Sequence, residues 1–269
     1  MNEFRLDLES VSFSLISKPT EGCKVCRNKE PEIASIPFKS GMIKVYEIKD
    51  DVQPSKFELR GDLFKSSVAD GYEEILVDSQ KHGDAFRGYS KEDMEKLFEI
   101  ISDRVKSLKS YELGENLIVT RYLKGHGAFD LNLLHIPTKE GDKCIECEYI
   151  KQTSDREIYS DENVIAYVPF APKNEIDITI SPKKHISIDE VDPIVLFDIT
   201  GLLKRLVDIV NEKSTLVILQ KADGHFKLKL YGGDVSQFDV LDIKKLVNSP
   251  ENVAKGLKEK LEYENKKQE

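Results

Sequence analysis

The sequence is poor in several residue types, and each deficit argues against a class of protein. It has no tryptophan, 3 methionines and 4 cysteines in 269 residues. No apolar run approaches the roughly 20 residues that a membrane-spanning helix needs. Lysines and arginines number 40 against 49 aspartates and glutamates, and the formal net charge of -9 disfavours nucleic acid or an anionic membrane as a partner. Residues 1–5 lack a secretory signal pattern, so we expect a cytoplasmic protein.

The residues that are present suit an α+β protein with antiparallel sheets. Apolar residues make up 39% of the chain, enough for the core of one large domain or two ordinary ones. Apolar stripes predict helices over 90–109, with Ser90 as the N-cap, and over 189–213, 236–248 and 251–267. Period-two alternation predicts strands over 42–48, 72–78, 117–123, 129–136, 164–168, 176–180, 215–220 and 225–231. The polar link 137–143 predicts two domains, 1–137 and 138–269.

One predicted strand carries its polar side chains on a single face. His225, Lys227 and Lys229 alternate with apolar residues, so they project to the same side of a sheet. Residues 127–133 have the same layout after a glycine, with Asp130 and Asn132 in the polar positions. These two strands are the best candidates for a functional face.

The cysteines form two Cys-x-x-Cys pairs, Cys23/Cys26 and Cys144/Cys147. Without a secretory signal a disulfide framework is not expected, so each pair is interpreted as half a zinc site or as a redox motif. A redox pair is expected to open a helix within a βαβ unit. Cys144 follows a polar link instead, which favours zinc over redox chemistry.

An internal repeat relates the two halves of the chain. Residues 75–82 align with residues 178–185, and each segment runs from a strand into a Lys-His pair that ends at His82 or His185. A cysteine pair precedes each segment, and a long helix followed by two strands comes after it. The repeat therefore predicts a duplicated supersecondary unit.

The repeat also predicts metal ligands, because a structural zinc site takes four nitrogen or sulfur donors in a tetrahedron. In the second half they are Cys144, Cys147, His185 and His225. In the first half they are Cys23, Cys26 and His82. The fourth position there aligns with Ala128, which cannot bind metal, and His126, a carboxylate or water are the substitutes.

Several segments resemble the galactose-1-phosphate uridylyltransferase family of the histidine-triad superfamily. The segment Cys23-Lys-Val-Cys-Arg-Asn-Lys-Glu30 is similar to that family's Cys-x-x-Cys-x-Gly-Asn-Glu. Residues 71–82 resemble its strand into Ser-Pro-Asp-His. Residues 166–172, Ala-Tyr-Val-Pro-Phe-Ala-Pro, and 182–185, Pro-Lys-Lys-His, resemble its second half. The resemblance covers nearly the whole chain.

This resemblance implies two tandem histidine-triad-like domains, each an antiparallel sheet backed by a helix. It also implies nucleotide or sugar phosphate ligands and a homodimer. In such enzymes the second histidine of a His-Pro-His-x-Gln strand attacks the α-phosphate of a nucleotide sugar. The covalent nucleotidyl-histidine divides one difficult displacement into two easier steps.

The sequence departs from the family at this strand. The nucleophile position holds Asp130, and a carboxylate repels an incoming phosphate. Asn132 retains an amide that can bond a phosphate oxygen. In the second half the same position is Lys227, and Lys227 and Lys229 are candidates to attract phosphate as point charges.

Two histidines remain as candidates for a relocated nucleophile. His135 is in odd register to Asp130 and is expected to face the other side of the sheet. His126 lies in the turn before the strand. It is a candidate nucleophile, a candidate fourth ligand of the first zinc site, or a plain turn residue.

Three functions follow from these observations. The first is a zinc-stabilised pseudoenzyme that binds a nucleotide or sugar phosphate without turning it over. The second is an active nucleotidyltransferase or nucleotide hydrolase with a relocated nucleophile or direct transfer. The third is a thiol redox protein that uses the two cysteine pairs.

Overall fold

A computed structural model describes residues 2–8, 10, 12–17, 23–39, 41–82, 86–109, 116–122, 126–135, 143–210, 214–221 and 224–268. The strands are β1 (Glu3–Asp7), β2 (Ser12–Ile16), β3 (Glu32–Phe38), β4 (Gly41–Ile48), β5 (Lys65–Val68), β6 (Gly71–His82), β7 (Asn116–Tyr122), β8 (His126–Leu134), β9 (Glu157–Ser160), β10 (Val164–Tyr167), β11 (Asp177–Pro182), β12 (Ser214–Gln220), β13 (Phe226–Gly232) and β14 (Lys244–Leu246). The α-helices are α1 (Lys24–Arg27), α2 (Lys91–Lys109), α3 (Ile145–Ile150), α4 (Pro193–Ile209) and α5 (Pro250–Gln268).

Ten strands form one sheet in the order β3-β4-β6-β8-β7-β12-β13-β11-β10-β9. All its pairings are antiparallel, including the central pair β7–β12 that joins the two halves of the chain. Outward from that pair, the first half runs β7, β8, β6, β4, β3 and the second runs β12, β13, β11, β10, β9. The predicted α+β class with antiparallel sheets is confirmed.

The long helices α2 and α4 cover one face of this sheet. Each follows the third sheet strand of its half, β6 or β11. Their apolar stripes pack with inward-facing strand residues into the largest core cluster. From the helices this cluster takes Met94, Leu97, Phe98, Ile101, Val105, Leu108, Leu196, Ile199, Leu203 and Leu206. Burying each such side chain contributes about 1.5–3 kcal/mol, so these stripes hold the helices in place.

Both helices begin at a side-chain cap. The Ser90 Oγ accepts a hydrogen bond from the Asp93 backbone N–H at 3.1 Å, and the Ser90 N–H donates to the Asp93 carboxylate at 2.9 Å. The prediction of Ser90 as the cap of α2 is therefore confirmed. For α4, Asp192 caps the helix by accepting from the N–H groups of Ile194 and Val195, each at 3.0 Å. That cap and Pro193 start the helix four residues later than predicted.

Replacing Ser90 with alanine should lower the free energy of unfolding by about 1 kcal/mol, because the cap bond to a helix N-terminal N–H is lost. Urea denaturation measures this change. Ser107→Ala, an exposed site in the last turns of the same helix, is the matched control and should leave stability nearly unchanged. Equal effects of the two substitutions would contradict the capping role.

A smaller sheet in the order β14-β2-β1-β5 covers part of the opposite face of the ten-stranded sheet. Its apolar contacts include Phe4 and Leu15 on one side and Ile118, Val217 and Leu219 of the large sheet on the other. The helix predicted over 236–248 is wrong. The segment makes only a helical turn at Asp239–Leu241 and then β14, which pairs in parallel with β2.

The apolar spacing in that segment explains the error. Phe238, Val240 and Ile243 are all buried against the small sheet, so an irregular turn satisfies a pattern that also suits a helix face. Pairing with β2 then supplies hydrogen-bond partners that a helix would have found within itself. The helix predicted over 251–267 is confirmed as α5.

The alignment of residues 75–82 with residues 178–185 is wrong within β6, because it pairs residues that lie on opposite faces of the sheet. Ile75 belongs to a cluster on the face away from α2, whereas its aligned partner Ile178 packs against the core beneath the helices. Two irregularities in the β6–β8 pairing, between Val77 and Ser79 and between Ser79 and His82, shift the register. One alignment therefore cannot match both the strand faces and the histidines.

Candidate metal centre and the polar face of the sheet

Three separate elements bring four metal-ligand side chains together in the second half. Cys144 caps the N-terminus of α3, and Cys147 follows one turn later. His185 lies just after β11, and His225 just before β13. Their ligand atoms all lie within 4.8 Å of one another. The predicted second-half ligands are thus placed in one cluster that could hold a metal ion.

The spacing of these atoms suits a tetrahedral ion. Cys147 Sγ lies 3.5 Å from His185 Nδ1 and 3.3 Å from His225 Nδ1, and Cys144 Sγ lies 3.5 Å from His225 Nδ1. With metal–sulfur and metal–nitrogen bonds of zinc length, tetrahedral ligand atoms stand about 3.5 Å apart. A backbone hydrogen bond also links the two cysteines, since the Cys147 N–H donates to Cys144 Sγ at 3.5 Å. This bond helps to hold the two sulfurs in place for an ion.

The protein also orients the ring of His225. This side chain is buried, and its Nε2 lies 3.0 Å from the Pro182 carbonyl oxygen and 3.2 Å from Ser181 Oγ. A carbonyl only accepts hydrogen bonds, so Nε2 carries the proton and Nδ1 presents its lone pair toward the two sulfurs. The tautomer needed for metal binding is therefore set by β11.

Glu146, between the two cysteines, is buried with 4% of its surface exposed and was missed by the sequence reasoning. Its carboxylate accepts a hydrogen bond from the Tyr167 hydroxyl at 2.7 Å and forms an ion pair with Lys227 at 2.5 Å. Burial by itself raises the pKa of Glu146, but Lys227 and Tyr167 outweigh burial and leave the pKa below its ordinary value. Glu146 is therefore a carboxylate at neutral pH.

Lys229 is also paired on this face of the sheet. Its ammonium lies 2.5 Å from Asp177 Oδ1 and donates to Thr179 Oγ1 at 2.9 Å. Burial lowers the pKa of Lys229 below its ordinary value, although Asp177 opposes the shift. Both lysines predicted to attract phosphate thus already contact carboxylates.

The first-half cysteines flank α1, with Cys23 at its N-terminus and Cys26 exposed. A hydrogen bond with Cys23 raises the pKa of Cys26. The backbones of His82 and His126 are paired across β6 and β8, but their side chains lie outside the described part of the structure. Among the side chains described, the second-half group is the one cluster identified as able to hold a metal ion.

Asp130 belongs to a cluster of charged side chains around the buried carboxylates of Glu73 and Asp51. Lys24 of α1 lies 2.7 Å from Glu73 Oε1 and 3.7 Å from Asp130 Oδ1. The Asp51 N–H donates to the other Glu73 oxygen at 3.2 Å, and Lys245 pairs with Asp51 at 2.5 Å. Burial lowers the pKa of Lys24, but Asp130 and Glu73 outweigh burial and raise it. A partly buried ammonium therefore lies beside the position predicted for the nucleophile.

The remaining predicted residues are also engaged. Asn132 is fully buried, and its Nδ2 donates to Gln237 Oε1 at 3.1 Å. His135 Nδ1 lies 3.1 Å from Asp70 Oδ2, just beyond the end of β8. None of these partners was evident from local sequence, because they lie 65 to 105 residues away along the chain.

The fold defines a class. The chain superposes on a solved uridylyltransferase with a TM-score of 0.63 at 16% identity, covering 87% of this chain and 89% of that one. A galactose-1-phosphate uridylyltransferase-like protein from Arabidopsis thaliana gives a TM-score of 0.56 at 18% identity, covering 95% and 97%. An ADP-glucose phosphorylase from the same plant, with bound ADP-glucose, gives 0.57 at 17%, covering 95% and 98%. The chain therefore has the uridylyltransferase fold.

Sequence comparison agrees with the fold. The chain is 25% identical over 162 residues to a galactose-1-phosphate uridylyltransferase of Thermotoga maritima, covering 52% of this chain and 51% of that protein. It thus spans about half the length of the curated relative that it matches. No family model matches the chain. The resemblance to galactose-1-phosphate uridylyltransferases predicted from the motifs is confirmed. In the described part of the chain, no helix is long and apolar enough to cross a membrane.

Proposed function

We propose that this protein is a zinc-binding, catalytically silent relative of the galactose-1-phosphate uridylyltransferases that binds a nucleotide or sugar phosphate without turning it over. The main support for the proposal is the presence of Asp130 where the family resemblance predicts a histidine. The residue at the predicted nucleophile position is a carboxylate, which faces a second carboxylate, Glu73, across Lys24.

The chemistry of transfer explains why this residue matters. An imidazole can attack a phosphate, hold the nucleotidyl group and release it again in a second step. A carboxylate carries charge of the same sign as the phosphate. Two carboxylates close together repel it further, and Lys24 is already committed to both. The first half therefore presents a carboxylate instead of an imidazole at the predicted nucleophile position.

The matching position of the second half does not hold an imidazole either. Lys227 occupies the predicted position there, and its ammonium is paired with Glu146. A protonated amine has no lone pair for attack on phosphorus. An ammonium that is already paired with a buried carboxylate is also not free to act on a phosphate, which supports a silent second half as well.

The zinc part of the proposal rests on the cluster of Cys144, Cys147, His185 and His225. Two thiols and two imidazoles at tetrahedral spacing form a complete ligand set, which is typical of a structural rather than a catalytic site. Stoichiometric zinc with no reactive thiols would speak against the redox alternative. A first zinc site with Cys23, Cys26 and His82 remains a prediction, with His126, a carboxylate or water as the candidate fourth ligand.

We also propose that the chain comprises two histidine-triad-like halves, 1–137 and 138–269, fused through β7 and β12. The identical outward strand order of the halves, with a long helix after the third sheet strand in each, supports this duplication. The proposed bounds at 137 and 138 lie outside the described residues, and they would assign β7 to the first half and β12 to the second. Homodimer formation stays a prediction.

The ligand part of the proposal takes Asn132, Lys227 and Lys229 as phosphate contacts. All three already have protein partners, so a phosphate must displace Glu146 or Asp177 to reach an ammonium. We therefore expect binding weaker than in an enzyme that keeps free cationic groups. The ADP-glucose bound by one protein of the same fold supports nucleotide sugars as the first ligands to test.

Incubation with UDP-glucose or ADP-glucose labelled in the α-phosphate, with a panel of sugar 1-phosphates, should give no covalently labelled protein and no exchange. Intact-protein mass and labelled product are the measurements, and the Thermotoga maritima relative is the positive control. Concentration-dependent thermal stabilisation by the same compounds measures binding independently of turnover. Absence of any such stabilisation would refute the proposed binding of a nucleotide or sugar phosphate and would leave the proposed lack of turnover unaffected.

Covalent labelling of the wild-type protein would overturn the silent assignment. Two variants would then test the alternative of a relocated nucleophile. Loss of label in His126→Asn, with label retained in His135→Asn, would assign attack to His126. His135 is the appropriate control because it is bound to Asp70 beyond the strand end.

A further inference from the structure

Strand β13 contacts the Cys-x-x-Cys segment at two points. Just before the strand, His225 Nδ1 faces both cysteine sulfurs. Two residues later, Lys227 pairs with Glu146, the residue that lies between those cysteines. Residues two apart on a strand project from the same face, so both contacts reach the same short segment.

The second contact is buried and joins separate strands. Glu146 has a side-chain exposure of 3%, and Lys227 has 21%. Tyr167 of β10 holds the other oxygen of the carboxylate, and β11 lies between β10 and β13 in the sheet. The carboxylate thus bridges over β11 and anchors the turn that carries Cys144 and Cys147.

Removing the Lys227 ammonium would leave the negative charge of the buried Glu146 carboxylate without its ion-pair partner. Glu146 would keep the hydrogen bond from Tyr167 and lose its ion pair with Lys227. A buried, unpaired carboxylate is costly, and the less costly outcome is for it to move toward water. Because Glu146 is adjacent to Cys147 in the chain, that movement would displace a metal ligand.

We propose that Lys227 is a positioning residue of the metal centre, which holds Glu146 and thereby fixes the two cysteine sulfurs for the ion. Lys227 does not touch the metal and acts through Glu146 alone. The inference rests on the proposed zinc centre and deepens it. A lysine at the predicted nucleophile position thus serves the metal site.

Lys229 provides a matched control on the same strand. It projects from the same face, is buried, and forms an ion pair of the same length with Asp177. Asp177 belongs to β11 and not to the cysteine segment. Replacing Lys229 therefore removes a comparable ion pair without releasing the metal ligands.

The test measures zinc affinity of the full chain by competition with a chromogenic chelator. Lys227→Met should bind zinc about 10–100-fold more weakly than wild type, the usual effect of losing a group that supports a metal ligand. Lys227→Arg should retain wild-type affinity, because its guanidinium can still pair with the carboxylate. Lys229→Met should also retain it, although its stability falls.

Cobalt substitution adds a signature that general destabilisation does not move. The absorption of cobalt bound by two thiolates and two imidazoles should change in Lys227→Met and stay as in wild type in Lys229→Met. Glu146→Gln removes the charge while keeping the shape, so it should weaken zinc binding as well. It serves as the second variant should Lys227→Met fail to fold.

Three results would overturn these statements, and they are distinguishable. Wild-type affinity in both Lys227→Met and Glu146→Gln would refute the positioning role while leaving the zinc centre intact. An equal loss in Lys229→Met would reduce the effect to loss of a buried ion pair. A wild-type chain that retains no zinc would refute the proposed metal centre itself.

Discussion

Replacing Cys147 with serine is expected to remove one zinc ion per chain and to lower the melting temperature by about 10–20 °C. Cys147 Sγ faces the Nδ1 atoms of both His185 and His225, so its loss breaks the centre of the ligand cluster. Structural zinc contributes folding free energy directly, about 10–16 kcal/mol in small zinc peptides. Even about 5 kcal/mol in a chain of this size corresponds to a shift of that order.

Serine is almost the same size as cysteine, which separates the loss of metal from the loss of packing. Lys184→Ala is the matched control, because Lys184 is exposed and adjacent to the ligand His185. Its zinc content and melting temperature should equal those of wild type. Zinc content by atomic spectroscopy and melting by circular dichroism check both variants. Unchanged zinc in Cys147→Ser would remove this cysteine from the ligand set.

Replacing Arg104 with methionine should lower the free energy of unfolding by about 3–5 kcal/mol at pH 7, since removing one partner of a buried ion pair leaves an uncompensated charge. Arg104 of α2 donates from Nε to Glu74 Oε2 at 3.0 Å and pairs with Glu74 Oε1 at 2.5 Å. Glu74 is fully buried in β6 beneath the helix. The pair is therefore a specific link between α2 and the sheet.

This cost should shrink as the pH is lowered. Burial raises the pKa of Glu74 above its ordinary value, and Arg104 only partly opposes that shift. Without Arg104 the folded-state pKa rises further. A carboxyl with a raised folded pKa binds its proton more tightly when folded, so stability is gained as pH falls through that pKa toward the ordinary value.

Urea denaturation at pH 7 and at pH 5 measures both effects. Lys106→Met is the control on the same helix, where an exposed pair with Asp103 at 3.7 Å contributes little. A cost in Arg104→Met no larger than in the control would refute the buried link. A cost that does not decline at pH 5 would refute its electrostatic cause.

Local pattern was sufficient for several parts of the site. The four second-half ligands followed from two residue types at repeated positions, and the cap of α2 followed from Ser90 alone. The Cys-x-x-Cys turn and the helix cap are short-range properties that form among neighbours in the chain, whereas the fold brings His185 and His225 to the cysteines from 38 and 78 residues away. The alternation that placed His225, Lys227 and Lys229 on one face is equally local.

Other parts depended on contacts that no local pattern contains. Glu146 lies 81 residues from Lys227, and Asn132 lies 105 residues from Gln237. The segment 236–248 was mispredicted because burial against a distant sheet, and not its own periodicity, decided its form. The β6 irregularities likewise changed the register at the histidines.

By itself, the sequence determined which side chains share a strand face, which residues can bind metal, and that Asp130 stands at the position predicted for the nucleophile. These depend on residue type and on the period of a strand. Only the tertiary structure decided what those side chains do. Lys227 and Lys229 could each attract a phosphate or pair with a carboxylate, and the choice depends on which acidic groups the fold buries beside them. The fold places Glu146 beside Lys227 and Asp177 beside Lys229. Each lysine pairs with its carboxylate because an ammonium that is shielded from water requires a charged partner.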